Sequence, residues 1–363
     1  MDIFETHKGL GNRKLHDKFL LLKNEILLGR ERQVLQEWAN GFEDRDNKMR
    51  IEFQTTFHST LWELYLFQAL KSLNLKVDWT KNRPDFVVTE PCEFYVEAVV
   101  SEIKKDGRAE SSRNLDDIYS MVTAPWEDPD HDEIMREAIT RYSNSISAKK
   151  RKYINEYSGL DWVKPDAPYV IAISSCAQVR YGKEYHYPML ALLYGMYFDS
   201  EIRTYRERDG IVKPGTDSSI PIRIFDDEDM RCVSAIVFSC TVTLGKLTSL
   251  AISKNDIPHP TNSVFLVRED NEHPKFKIQI VSADSPEDHF DGLFVFHNPN
   301  ATNPLPLSLF EGTSAIQVTH DGRGVAFQGG NLPLVARLNM SKLVAPEAVM
   351  QLLMKEAFES FNR

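Results

Sequence analysis

The chain has 363 residues, with 53 acidic and 43 basic side chains and a formal net charge of −10. Its hydrophobic fraction of 42% can fill a sizeable core, which argues against wholesale disorder, and its acidity argues against a surface coated in positive charge for indiscriminate nucleic-acid binding. The length suggests one large domain or two modest ones.

Four cysteines, Cys92, Cys176, Cys232 and Cys240, form no Cys-x-x-Cys pair and read as reduced thiols, without a zinc or disulfide framework. Met1 to Leu10 lacks the apolar core of a signal peptide. The most apolar helical stretch, Met189 to Phe198, is shorter than the roughly 20 residues a bilayer requires. A cytoplasmic protein without a membrane segment is the expectation.

Taken in order, residues 12–41 read as one helix, because Leu15, Phe19, Leu22, Ile26, Val34, Leu35 and Trp38 recur at helical spacing. Gly41 is its stop, and the polar run 43–48 is a turn. A second helix covers about 56–73 and is apolar on more than one face, so it is expected to be buried. Glu63 lies within it, where a charge is costly unless something pairs with it. Short strands follow at Leu75–Trp79, Asp85–Thr89 and Phe94–Val100, the last interrupted only by Glu97.

Residues 104–131 read as a loop, 132–157 as a helix bearing Arg141, Lys149, Lys150, Arg151 and Lys152, and Tyr169–Ser174 as a central strand. Met189–Tyr197 reads as helical and Val233–Cys240 as a buried strand. Beyond residue 255 come short strands such as Ser263–Val267 and Phe276–Val281, an irregular stretch from His297 to Leu309, and a helix over Ala345–Phe361. No repeat or low-complexity tract is evident.

One constellation carries chemistry: an acid on a buried helix, an acid after proline at the start of a strand, and an acid within the next strand. Their short separations allow a hairpin to close with the helix packed on it, so that Glu63, Asp85 and Glu97 converge at one sheet edge. Magnesium takes hard oxygen ligands while keeping several waters, and such a set supplies them. A cation held there polarises a phosphoryl oxygen and helps generate hydroxide.

Trp62-Glu63-Leu64-Tyr65-Leu66, Arg83-Pro84-Asp85-Phe86 and Tyr95-Val96-Glu97-Ala98-Val99 resemble the motifs of the PD-(D/E)xK, or restriction-endonuclease-like, nuclease superfamily. The resemblance covers roughly residues 50–175 and its motifs are short and degenerate. It implies a metal-dependent nuclease with Glu63, Asp85, Glu97 and the backbone carbonyl of Ala98 as ligands of Mg2+, for which Mn2+ can substitute. It also implies a role in restriction, defence against foreign DNA, or repair. One departure stands out: the lysine that the pattern places two residues after the second acid is here Val99. Some members take the equivalent cation from the next helix, where this chain offers Lys149, Lys150 and Lys152; Lys104 and Lys105 are nearer in sequence.

Each residue also has a plainer reading. Asp85 can be a turn residue, Glu97 can mark a strand face open to water, Glu63 can pair with a structural cation, and the lysine run can be a solvated helix face. His58, one turn before Glu63, reads first as a structural histidine, and so does His297. Gly322-Arg323-Gly324 lacks the strand-to-helix setting of a phosphate loop. No His-Glu-x-x-His or Gly-x-Ser-x-Gly motif occurs.

The expected architecture is therefore an α/β fold with a mixed central sheet flanked by helices. An N-terminal helical extension (1–49) precedes a nuclease-like core (50–240) and an accessory C-terminal region (241–363) packed on it. The expected function is metal-dependent phosphodiester hydrolysis of nucleic acid, with DNA as the expected substrate and a homodimer through the N-terminal helix as an option. The alternative is a catalytically inactive nuclease fold that binds nucleic acid or protein.

Overall fold

A computed structural model describes residues 2–45, 47–103, 107–108, 112–121, 123–176, 182–270, 272 and 275–363. Lys104 and Lys105 lie outside the described residues. Helices α1 (Asp17–Asn24), α2 (Gly29–Ala39), α3 (Met49–Thr55) and α4 (His58–Ser72) precede strands β1 (Lys76–Val77), β2 (Phe86–Glu90) and β3 (Phe94–Val100). Then come α5 (Leu115–Ser120), α6 (His131–Lys152), β4 (Tyr169–Ser174), α7 (Tyr187–Tyr194) and two small hairpins, β5 (Met196–Asp199) with β6 (Thr204–Glu207) and β7 (Gly210–Val212) with β8 (Ser219–Pro221). The rest comprises β9 (Ala235–Ser239), α8 (Leu244–Ser253), β10 (Asn262–Glu269), β11 (Phe276–Ile280), β12 (Phe294–His297), β13 (Ile316–His320), β14 (Val325–Gln328), β15 (Leu334–Ser341) and α9 (Glu347–Asn362).

The fold is α/β, and its centre is an eight-stranded mixed sheet in the order β1-β2-β3-β4-β9-β12-β13-β14. Strands β3, β4 and β9 run parallel, whereas β2 meets β3 antiparallel and β12 meets β9 antiparallel. The central strands are buried on both faces, which is why they read as continuous apolar runs. Val96, Ala98, Val170, Ala172, Val237 and Val295 pack on one face beneath α1 to α4 and α8. Tyr95, Ile171, Ile173, Ile236, Phe238 and Phe296 pack on the other, beneath α6, α7 and α9. A second sheet, β11-β10-β15, contributes Phe265, Val267 and Phe276 to the latter core. Strands β12, β13 and β14, from the last third of the chain, continue the same central sheet.

The expected helix over 12–41 is two helices. Glu25 ends α1, and its carboxylate accepts from the Leu27 amide to start a short 3₁₀ turn. The Arg32 guanidinium donates to the Leu22 and Glu25 carbonyls, so a side chain from α2 satisfies the end of α1. The apolar spacing runs through this bend and could not reveal it. The expected loop over 104–131 contains α5 and a 3₁₀ turn at Pro125–Glu127. The expected helix over Met189–Tyr197 starts earlier and stops at Gly195, whose φ of +79° caps it before β5.

Helix α4 is fixed to the sheet by Trp62. Its indole is 1% exposed, stacks on Tyr65 at 5.5 Å, and donates from Nε1 to the Ala172 carbonyl of β4 at 3.1 Å. Trp62→Ala removes both the packing and the donor and is expected to cost about 3–5 kcal/mol. A urea midpoint lowered accordingly checks this anchoring of the helix that carries Glu63.

Candidate active site at the start of β2 and the middle of β3

Glu97 occupies the middle of β3 and is 1% exposed. Side-chain alternation along β3 turns it to the α6 face with Tyr95, while Val96 and Ala98 face α4. Both of its oxygens are engaged. Oε1 accepts from Lys149 Nζ and Lys152 Nζ, each at 2.8 Å, and Oε2 accepts from Tyr157 OH at 2.9 Å. Burial alone would raise the Glu97 carboxyl, but Lys149 and then Lys152 hold it below its usual range.

Lys149 and Lys152 sit one turn apart on α6, the spacing that puts two side chains on one helix face. The helix then passes into a π turn, Tyr153–Tyr157, which swings Tyr157 onto the same carboxylate. Such turns concentrate at functional sites because the extra residue re-aims the side chains around it. Tyr153 stacks on Tyr169 at 4.1 Å, and Tyr169 OH donates to the Lys149 carbonyl, which ties this helix end to β4.

Asp85 immediately precedes β2. The register that pairs Phe86 with Val96 brings it beside Glu97 and Ala98, and its Oδ2 accepts from the Ala98 amide at 2.7 Å. Arg45 donates to the Asp85 carbonyl at 3.0 Å and fixes the backbone there. Burial, and next the charge of Glu97, push Asp85 up to about 6. Glu63 reaches the same place from α4. Burial, then Asp85, then Glu52 push it up to about 8. Among the described residues the Glu63 carboxylate makes no hydrogen bond or ion pair.

The three acids therefore sense one another, but they do not form the open three-carboxylate ligand set that the sequence suggested. Among the described residues no group of three or more His, Cys, Asp or Glu side chains is arranged to hold a metal ion. The reason is visible at Glu97, which spends both oxygens on two lysines and a tyrosine. Ala98 meets Asp85 through its amide. Among the described residues Glu63 and Asp85 remain as the two acids of this cluster without an ion pair, both raised by burial. That pair fits magnesium, which is commonly bound through one or two carboxylates with waters and substrate oxygens completing its shell.

Lys150, expected among the assisting lysines, instead pairs with Asp229, because the next residue along a helix points about 100° away. Tyr157 was not singled out in the sequence; the π turn that delivers it leaves no periodic mark. Val99 packs toward the α6 core, and the cation that meets Glu97 comes from α6. His58 Nδ1 lies 3.4 Å from Cys176 Sγ, and His297 Nε2 lies 3.1 Å from Gln317 Oε1.

Comparison with protein-family models, curated proteins and solved structures finds no match for this chain. The residues themselves must carry the functional argument. Among the described residues no helix is long and apolar enough to cross a membrane.

Proposed function

We propose that this chain is a metal-dependent nuclease of the PD-(D/E)xK type that hydrolyses phosphodiester bonds, with DNA as its substrate and the cytoplasm as its setting. The observation that carries the reading is Lys149 Nζ at 2.8 Å from Glu97, beside Asp85 and Glu63, with its charge acting on all three acids. Lys149 is 21% exposed, so a phosphate can meet it without the helix moving.

In this reading Glu63 and Asp85 hold Mg2+ or Mn2+. When bound, the cation supplies Lewis-acid polarisation of a phosphoryl oxygen and a more acidic water. Lys149 offers positive charge to the phosphate as negative charge builds on its oxygens. Glu97 holds Lys149 and Lys152 in place, and Tyr157 fixes its other oxygen. The acids of this centre also contribute to the net negative charge, which leaves nucleic-acid contact to a local basic strip rather than to the whole surface.

The competing reading is a nuclease fold that binds nucleic acid or protein without cutting. The complete engagement of Glu97 and the valine at position 99 favour it. A plasmid and oligonucleotide cleavage assay with Mg2+ or Mn2+ separates the two. Cleavage by the wild type, lost in Asp85→Asn and Glu97→Gln, supports the nuclease. Absence of cleavage across metals and substrates leaves the binding reading. For self-association, the exposed Leu21, Ile26 and Leu27 at the α1–α2 bend are the apolar residues through which we propose a homodimer.

A further inference from the structure

A groove of about 630 Å³ opens directly beside Lys149, between α6, the end of β3 and the turn after β7. This volume lies in the range of small-molecule sites. Its lining divides by chemistry. Val99, Ile103 and Pro214 give it an apolar wall, while Val100, the next residue of β3, turns to the α4 face. Asn144 on α6 is exposed there, and its amide carries both donors and an acceptor. Lys213 stands on the turn after β7, and among the described residues its ammonium makes no ion pair.

Arg141 closes the floor. Its side chain is about 5% exposed, yet its guanidinium meets mainly neutral hydroxyls, Ser101 Oγ at 3.3 Å and Ser175 Oγ at 3.4 Å, with Glu184 at 3.6 Å. Its Nε is buried and has no hydrogen-bond partner. The groove thus has an apolar wall, an amide on one side, and cations at Lys149, Lys213 and Arg141. Glu102 and Glu137 also line it and oppose an occupant that is anionic throughout. What these features fit together is a neutral ring with a phosphate at one end. They also give the apolar side chain at position 99 a purpose: a lysine there would fill the wall.

We propose that this groove takes one unpaired nucleotide adjoining the bond that is cut, its base against the wall of Val99 and Ile103 and within reach of Asn144, its phosphate between Lys149 and Lys213. A paired base cannot leave its stack to enter such a groove without the cost of unstacking, so the substrate class is single-stranded DNA, or an unpaired position in a duplex. The proposal rests on the reading of Lys149 as the cation that meets the scissile phosphate.

The test is a binding measurement in Ca2+, with an oligonucleotide that carries the fluorescent base 2-aminopurine, single-stranded and in its fully paired duplex. The single strand is expected to bind about tenfold more tightly at equal salt and to change its fluorescence on binding. Asn144→Ala and Lys213→Ala, neither of which touches the acids or Lys149, are each expected to weaken it about tenfold. Equal binding of both forms, no binding, or indifference to both substitutions overturns the groove. Cleavage lost in Asp85→Asn would then still support the nuclease. Single-strand binding that depends on Asn144, from a protein that cuts nothing, keeps the groove and removes the nuclease.

Discussion

Glu63→Gln is expected to lower metal-dependent cleavage roughly a thousandfold, the rate equivalent of about 4 kcal/mol, while making the metal-free chain more stable at alkaline pH. The two effects have one origin. Burial and the charge of Asp85 raise the Glu63 carboxyl to about 8, so the metal-free fold prefers it protonated. A carboxyl raised in the folded state contributes stability that is fully present below its unfolded value near 4.5. That stability fades as pH rises and is lost once pH passes about 8. Asp85, raised to about 6, acts in the same sense over a lower window. A cation held by this pair, as proposed, would reverse the preference, because it would bind the ionised forms. Metal affinity is therefore expected to climb with pH toward 8, with proton release on binding at pH 7. Calorimetry in two buffers of different ionisation enthalpy reads the protons, and denaturant midpoints across pH read the stability. A wild-type midpoint that does not fall between pH 5 and 8, or a Glu63→Gln midpoint that falls as steeply, would refute the assignment.

The parts of this site that could be read from the sequence are those whose side chains face a continuous environment. Phe94–Val100 and Tyr169–Ser174 carry Val, Ile, Tyr and Phe in runs without a breaker, and both form strands over those limits. The acid in such a run is conspicuous because an ionised group is costly there. The order helix acid, strand-opening acid, strand acid was likewise legible, since it needs only the elements to be correct. The state of Glu97 was not. Whether a buried carboxylate is open or held depends on a helix more than fifty residues away, and on where the π turn at Tyr153–Tyr157 puts one hydroxyl.

The last third of the chain was hardest to read. Strands β12, β13 and β14 are short, and the loops before β12 and β13 are rich in Pro, Asn, Asp and Gly, so no local pattern announced that they extend the central sheet. Helix α8 escaped for a different reason. Its sequence, Leu-Gly-Lys-Leu-Thr-Ser-Leu-Ala-Ile-Ser, holds residues of low helical preference, and Lys246 within it is fully buried. That lysine is stabilised by Glu287 at 2.6 Å and the carbonyls of Asp288 and Asp291, partners some forty residues on. Tertiary pairing forms this helix, and periodicity cannot show it.

Lys149→Met is expected to slow cleavage by roughly two to three orders of magnitude, Lys152→Met by less, and Lys150→Ala not measurably. The ranking follows from which acids each ammonium reaches. Lys149 acts on Glu63, Asp85 and Glu97, whereas Lys152 ranks below it at Asp85 and Glu97, is not among the leading influences on Glu63, and is more exposed at 38% against 21%. Lys150 is committed to Asp229. Methionine keeps the length and packing of the lysine stem, so a lost rate reports the charge rather than a hole. Glu97 retains one lysine and Tyr157 in either single variant, which keeps its buried charge paired and the fold intact. The double variant Lys149→Met with Lys152→Met leaves that carboxylate to Tyr157 alone. The Glu97 carboxyl should then rise toward protonation, joining Glu63 and Asp85, and the pH at which cleavage is half-maximal should move upward. Equal losses from Lys149→Met and Lys150→Ala would mean that no single α6 cation serves the site, and the migrated-lysine account would fail with it.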